Sequence, residues 1–243
     1  MKPISELDLN QKKLFIFDLD GTLIDSALVY RKSDIYAVKK LNGVDVSIEE
    51  MIEVSKNLFS SLENDPNLYK NYYLGIDRMY GGNHDIDEII QAREEALDLA
   101  RGEVELKEGA TELLVKLRVK KNMAQLAIGT GSMASHIDFF SSNRASFHKV
   151  INLREVFDHI ITFDDIKIPK PSPAIPQKIM ENAGVTPDEC VIIEDDLRGV
   201  RSGKATGAET INVKDRWSAH EQAEIDKTAD YQIENLSELT EKL

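Results

Sequence analysis

The strongest hydrophobic run begins at residue 14. Leu14, Phe15, Ile16 and Phe17 are four successive large apolar residues, a continuous run that reads as a strand buried on both faces, as in the middle of a parallel sheet. The run stops at Asp18, and Gly21 lets the chain turn away directly after Asp20. Beyond it the period changes. Asp25 or Ser26 could cap a helix, and residues 47–62, 66–80 and 84–101 carry apolar positions at helical spacing. Ile86, Ile89, Ile90 and Leu97 form one such stripe, with Glu and Arg on the opposite side. No strand pattern of comparable strength interrupts residues 26–101. These positions read as a helical insert whose stripes form the core of a small bundle.

From residue 105 onward the pattern alternates. Leu106 to Gly109 reads as a hinge, 110–121 as a helix with leucines at helical spacing, and 124–129 as a strand. Strand-like runs recur at 159–163, 190–194, 209–213 and 229–233, separated by helical patterns near 133–142, 173–183, 197–206 and 219–225. Strand, helix, strand at this interval implies right-handed crossovers and an α/β fold with a doubly wound parallel sheet. Ligands of such sheets bind beyond the carboxyl ends of the strands. Chemistry should therefore be sought where the apolar runs stop.

Composition narrows the class. The chain of 243 residues is long enough for one large domain or a domain with an insert. Its 42% hydrophobic and 30% charged residues, with no apolar run near membrane length, describe a soluble globular protein. The first dozen residues lack the apolar core of a signal peptide. The single cysteine, Cys190, cannot form an internal disulfide, which fits a cytoplasmic location. A net charge of −13 disfavours nucleic-acid and acidic-membrane partners. A small anionic substrate responds only to the local field and stays open.

Four strand ends carry chemistry. The first is Asp18-Leu19-Asp20-Gly21-Thr22. The second is Thr130, followed by Gly131 and Ser132; a hydroxyl and backbone N–H groups ahead of a helix suit a phosphate oxygen, while the same hydroxyl could simply be an N-cap. In the third, Pro169-Lys170-Pro171-Ser172-Pro173, the proline after Lys170 keeps that residue out of the helical region and pre-positions an ammonium group. The plainer reading is a solvated lysine at a proline-rich helix start, with Ser172 as cap and Pro173 as first helical residue. The fourth is Val191-Ile192-Ile193-Glu194-Asp195-Asp196. Adjacent carboxylates at the end of an apolar strand repel one another and are costly to desolvate without a cation. A hard divalent ion would resolve this, although an acidic helix N-terminus is also favoured by the helix dipole.

Taken in order, these strings resemble the motifs Asp-x-Asp-Gly-Thr, Ser/Thr, Lys-Pro-x-Pro and Glu-Asp-Ser-x-x-Gly of the haloacid dehalogenase superfamily. The helical insert between the first two is similar to the branch with an α-helical cap, to which phosphoglycolate phosphatase and β-phosphoglucomutase belong, and the run from Gly203 to Ala208 resembles that branch as well. The chain departs from the pattern at Asp196, where serine is usual, and at Pro176, where an aromatic or aliphatic residue is usual. The resemblance implies a Rossmann-like core of residues 1–24 plus 105–243 and an inserted α-helical cap of residues 25–104. It implies a magnesium-dependent phosphatase acting on a small phosphorylated metabolite through an aspartyl phosphate. Asp18 would be the nucleophile and Asp20 the general acid and then base. Thr130, Gly131 and Lys170 would hold the phosphoryl oxygens. Mg2+ would be bound by Asp18, the main-chain carbonyl of Asp20, Asp195 and Glu194. The cap would close over the substrate and select it.

Two alternatives accompany this reading. A phosphosugar mutase of the β-phosphoglucomutase type uses the same phospho-aspartate, but those mutases carry a histidine twelve residues beyond the nucleophile, where this chain has Tyr30. A non-catalytic regulatory protein is disfavoured because every catalytic position retains a competent residue. Substrate identity and oligomeric state are not specified by any string. Outside the motifs, Cys190 reads as packed core, and His84, His136, His148, His159 and His220 show no ligand spacing. Trp217 reads as packing or as part of a site rim. Arg31 and Lys32, early in the first helix of the insert, could reach a substrate anion or lie on an exposed face.

Overall fold

The computed structural model describes residues 1–62, 65–120 and 124–243. The chain divides into two compact units, one of Met1–Asp25 with Glu105–Leu243 and the other of Ser26–Val104. The first is built on a six-stranded sheet of β1 (Leu14–Phe17), β2 (Gln125–Gly129), β3 (His159–Ile161), β4 (Cys190–Glu194), β5 (Glu209–Val213) and β6 (Tyr231–Ile233). The spatial order is β3-β2-β1-β4-β5-β6 and every pairing is parallel. The chain winds outward from β1 to one side and then from β4 to the other, which makes β1 the switch point of the sheet. All four β1 residues are buried, as expected for a run without alternation. On one face Leu14, Ile16, Ala127, Cys190 and Ile192 pack against Ile175, Ile179 and Met180. Cys190 is thus core, and burial pushes its thiol up to about 12.

The second unit holds α1 (Ala27–Asn42), α2 (Ile48–Ser61), α3 (Leu68–Met79) and α4 (Ile86–Ala100). Each boundary has a local cause. Gly43, at φ 72°, ends α1; the Ser47 hydroxyl accepts from Glu50 N–H to start α2; Asp85 and Glu88 form a reciprocal capping box on α4. The cap position of α1 is Ser26, whose side chain makes no capping hydrogen bond to the helix. Val38, Val46, Met51, Val54, Tyr72 and Ile76 form the apolar core. A buried polar network joins all four helices. Asp34 accepts from Arg93 Nε at 2.6 Å, the Tyr72 hydroxyl at 2.9 Å and Arg31 Nη1 at 3.3 Å, and Ser55 lies 2.8 Å from the same hydroxyl. Arg31 is therefore engaged inside this unit and also lies over the Phe59 ring, whereas Lys32 is exposed.

The sheet unit is completed by α5 (Ala110–Lys120), α6 (Ala134–Phe140), α7 (Leu153–Val156), α8 (Phe163–Ile166), α9 (Ala174–Ala183), α10 (Leu197–Thr206), α11 (Gln222–Thr228) and α12 (Ser237–Lys242). Residue 121, the expected end of the helix from 110, lies outside the described residues. The strand expected over 159–163 stops at Ile161, because Thr162 and Asp165 form a capping box that starts α8. The strand expected from 229 begins at Tyr231, since Ala229 still closes α11. Pro173 is the N-cap of α9 rather than its first helical residue. Pro176 then falls in the first turn, where an N–H has no intrahelical acceptor and its loss is tolerated.

Candidate active site

The sheet register brings the motifs together. Phe17 aligns with Ile128 on one side and Ile193 on the other, so Asp18 is flush with Gly129 and Glu194, and Thr130 and Asp195 come one step later. Asp18, Glu194 and Asp195 are buried, and each offers a carboxylate oxygen within 4.8 Å of the others. Lys170 Nζ lies between two of them, donating to Asp18 Oδ1 and Glu194 Oε1 at 2.6 Å each. The Thr22 hydroxyl donates to Asp195 Oδ1 at 3.1 Å. Asn212, buried at the end of β5, donates from Nδ2 to the carbonyls of Glu194 (3.3 Å) and Asp195 (3.2 Å) and so fixes the turn that carries both acids. Gly21 sits at φ 89° with Asp195 Oδ2 only 2.2 Å from where a Cβ would lie. Only glycine supplies both that conformation and that clearance.

One ammonium group among three buried carboxylates leaves surplus negative charge. Burial pushes Asp18 up to about 6 against the pull of Lys170, with Asp20 and Asp196 adding to the rise. Burial and neighbouring carboxylates likewise hold Glu194 and Asp195 well above the usual carboxylate range. Burial alone would depress Lys170, but Asp18 and Glu194 outweigh it and hold the ammonium above its ordinary range. A compact all-oxygen donor set carrying uncompensated charge fits a hard divalent cation, and the residues present can hold one.

Thr130 is buried at the end of β2; its hydroxyl accepts from Ser132 N–H at 3.0 Å and its own N–H donates to Ile161 O at 3.0 Å. It does not cap α6, whose N-cap is Met133. Gly131 follows it in the same turn, half-buried. Asp20 is half-buried, with Oδ2 accepting from the Ser132 hydroxyl at 2.6 Å. Lys170 is buried rather than solvated. Asp196 is not one of the clustered ligands but the N-cap of α10, accepting from Gly199 N–H at 2.6 Å, so the helix-cap reading holds for it alone among the three acids. No histidine belongs to the cluster. Thr22, Asn212 and Ser132 were not singled out from the sequence as site residues. Asn212 had one visible signal, an amide within the apolar run Ile211 to Val213.

A sequence model described as haloacid dehalogenase-like hydrolase matches residues 15–213. Among relatives, the fructose-1-phosphate phosphatase YqaB of Escherichia coli is 24% identical over 199 residues, covering 82% of this chain and 95% of its own length. Protein CbbY of Rhodobacter capsulatus is 25% identical over 231 residues, covering 93% and 94% respectively. The crystal structure of CbbY from Rhodobacter sphaeroides in complex with phosphate superposes with a TM-score of 0.75 at 23% identity, covering 94% of this chain and 96% of that one. This last likeness is one of fold.

Proposed function

Since this chain belongs to the haloacid dehalogenase-like hydrolases and is a phosphoric monoester hydrolase, we propose that it cleaves a small phosphorylated metabolite through a phosphorylated Asp18. The observation that carries this reading is the buried cluster of Asp18, Glu194 and Asp195, with Lys170 bridging the first two. In the first step an Asp18 carboxylate oxygen bonds to phosphorus as the ester oxygen leaves, and Asp20 gives that oxygen a proton. In the second, Asp20, now a carboxylate, takes a proton from water whose oxygen bonds to phosphorus, and Asp18 leaves as a carboxylate. Lys170, the Thr130 hydroxyl and the N–H of Gly131 hold the other phosphoryl oxygens. Burial strengthens every such interaction, so positioning and electrostatics supply most of the rate.

Asp18, Asp195, Glu194 and the main-chain carbonyl of Asp20 would hold Mg2+, which when bound supplies positive charge to the phosphoryl oxygens and to the acidic cluster. The substrate is a small molecule rather than nucleic acid, in keeping with the net charge of −13. Among the described residues no helix is long and apolar enough to cross a membrane.

Phosphate release from a panel of phosphorylated metabolites in the presence of Mg2+ tests the proposal. Release is expected for at least one ester, and Asp18→Asn should lower it by at least roughly a thousandfold while leaving the circular dichroism unchanged. Substantial activity in pure, folded Asp18→Asn would refute the nucleophile. Interconversion of sugar phosphates without net release would replace hydrolysis by a mutase reaction.

A further inference from the structure

Ser132 has no part in the scheme above, yet it is built into it. Its hydroxyl donates to Asp20 Oδ2 at 2.6 Å across 112 positions of sequence. The hydroxyl is held by its own loop: Ser132 N–H donates to Thr130 Oγ1 at 3.0 Å, Ser132 O accepts from Phe163 N–H at 3.0 Å, and the next turn is pinned by Asp164 Oδ2, which accepts from Ala134 N–H at 2.8 Å. A protonated carboxyl group has one O–H and one carbonyl oxygen. When the Ser132 hydroxyl donates to Oδ2, that atom serves as the carbonyl oxygen and the acidic proton sits on Oδ1.

We propose that Ser132 is a positioning residue that fixes Oδ1 of Asp20 as the oxygen that gives the proton to the leaving group and later takes one from water. The inference rests on the phosphatase reading. As the Asp18 O–P bond forms and the P–O bond to the leaving group breaks, the Oδ1 proton passes to the departing oxygen and Asp20 becomes a carboxylate whose Oδ2 still accepts from Ser132. Water then loses a proton to Oδ1 as its oxygen bonds to phosphorus and Asp18 departs. Without the hydroxyl, Oδ2 loses the donor that favours it as the carbonyl oxygen, so the fraction of Asp20 with its proton on Oδ1 falls.

Leaving-group dependence separates this role from a structural one. The ratio kcat/KM reports expulsion of the leaving group, the first irreversible step. Expulsion of 4-nitrophenolate needs little protonation, whereas phenolate and the alkoxide of glycerol 2-phosphate need much. Ser132→Ala should therefore lower kcat/KM for phenyl phosphate and glycerol 2-phosphate by about tenfold to a hundredfold, within the range of general acid catalysis. It should change the value for 4-nitrophenyl phosphate by less than about threefold. Ser132→Thr should restore the lost rate, and Ser132→Cys, nearly isosteric but a weak donor, should reproduce the selective loss if the alanine variant does not fold. The double variant with Asp20→Asn should lose no more than Asp20→Asn alone. An equal loss on all three esters, or a further loss in the double variant, would overturn the role. A wild-type enzyme that releases phosphate from no ester at all would instead defeat the phosphatase reading.

Discussion

Lys170 holds one ammonium nitrogen 2.6 Å from both Asp18 and Glu194 in a buried cluster. Removing one partner of a buried ionic group leaves its counter-charges uncompensated, at a cost of about 3 kcal/mol or more. Lys170→Met should therefore abolish turnover and lower stability at neutral pH. The pH dependence has a definite sign. Asp18, ordinarily near 3.8, is raised to about 6 even with the lysine present, so the folded state binds that proton more tightly than the unfolded chain. Stability from this group is lost as pH rises from the ordinary value through 6 and regained as pH falls. Thermal midpoints of the metal-free Lys170→Met protein should recover as pH is lowered from about 7 to about 5, and a flat profile would disprove the charge argument. At this scale the sequence was informative wherever a residue's place followed from the end of a strand, as for Asp18, Thr130 and Asp195, or from a motif in a loop, as for Lys170. Where a rotamer decides, only the resemblance to the motif separated one residue from another. Asp195 and Asp196 are neighbours with the same side chain, yet one joins the cluster and the other caps α10.

The segment from α3 to α4 shows how one element boundary can depend on a pair of titrating groups. Asp77, near the end of α3, accepts from His84 N–H at 3.0 Å and lies 2.9 Å from His84 Nδ1, while Gly82 N–H donates to Asp77 O at 2.9 Å. The hydrogen bond with Asp77 raises His84 above its ordinary 6.5, with Glu88 and Asp85 adding to the rise. Burial would raise Asp77, but the bonds from His84 outweigh it and hold the carboxyl below 3.8. The histidine's contribution to stability is complete below 6.5 and is lost as pH rises through the raised value. The aspartate's is present above 3.8 and fades as pH falls through its depressed one. His84 should titrate above 6.5 by NMR, and amide protection in residues 81–85 should weaken as it deprotonates; an ordinary titration midpoint would count against the pairing. The wider lesson concerns length. Buried continuous runs such as β1, β4 and β5, and the stripe of α10, were legible because several residues agree on one period. The short helices α7, α8 and α12 were not, since four to six residues span too few turns to show periodicity and depend on caps such as Thr162 with Asp165.

At the scale of the molecule, the two units differ in how they balance buried charge. The helical unit neutralises its own: Asp34 is paired with Arg93 and Arg31. The sheet unit does not, since the single ammonium group of Lys170 pairs with two of the three clustered carboxylates, Asp18 and Glu194, and not with Asp195. A divalent cation that binds the folded cluster should therefore stabilise the sheet unit specifically. With no affinity for the unfolded chain, an ion at about 100 times its Kd adds about 2.7 kcal/mol, which corresponds to a rise of roughly 5–10 °C in the midpoint. Trp217 is the single tryptophan and lies in the sheet unit, so its emission during heating follows that unit directly. Mg2+ should raise the emission midpoint of the wild-type protein, and chelation should return it. Asp195→Asn removes one of the repelling charges and one ligand at once, so its midpoint without metal should lie above that of the wild type and should no longer respond to Mg2+. A Mg2+ response that survives in Asp195→Asn at full size would remove this cluster as the cation site.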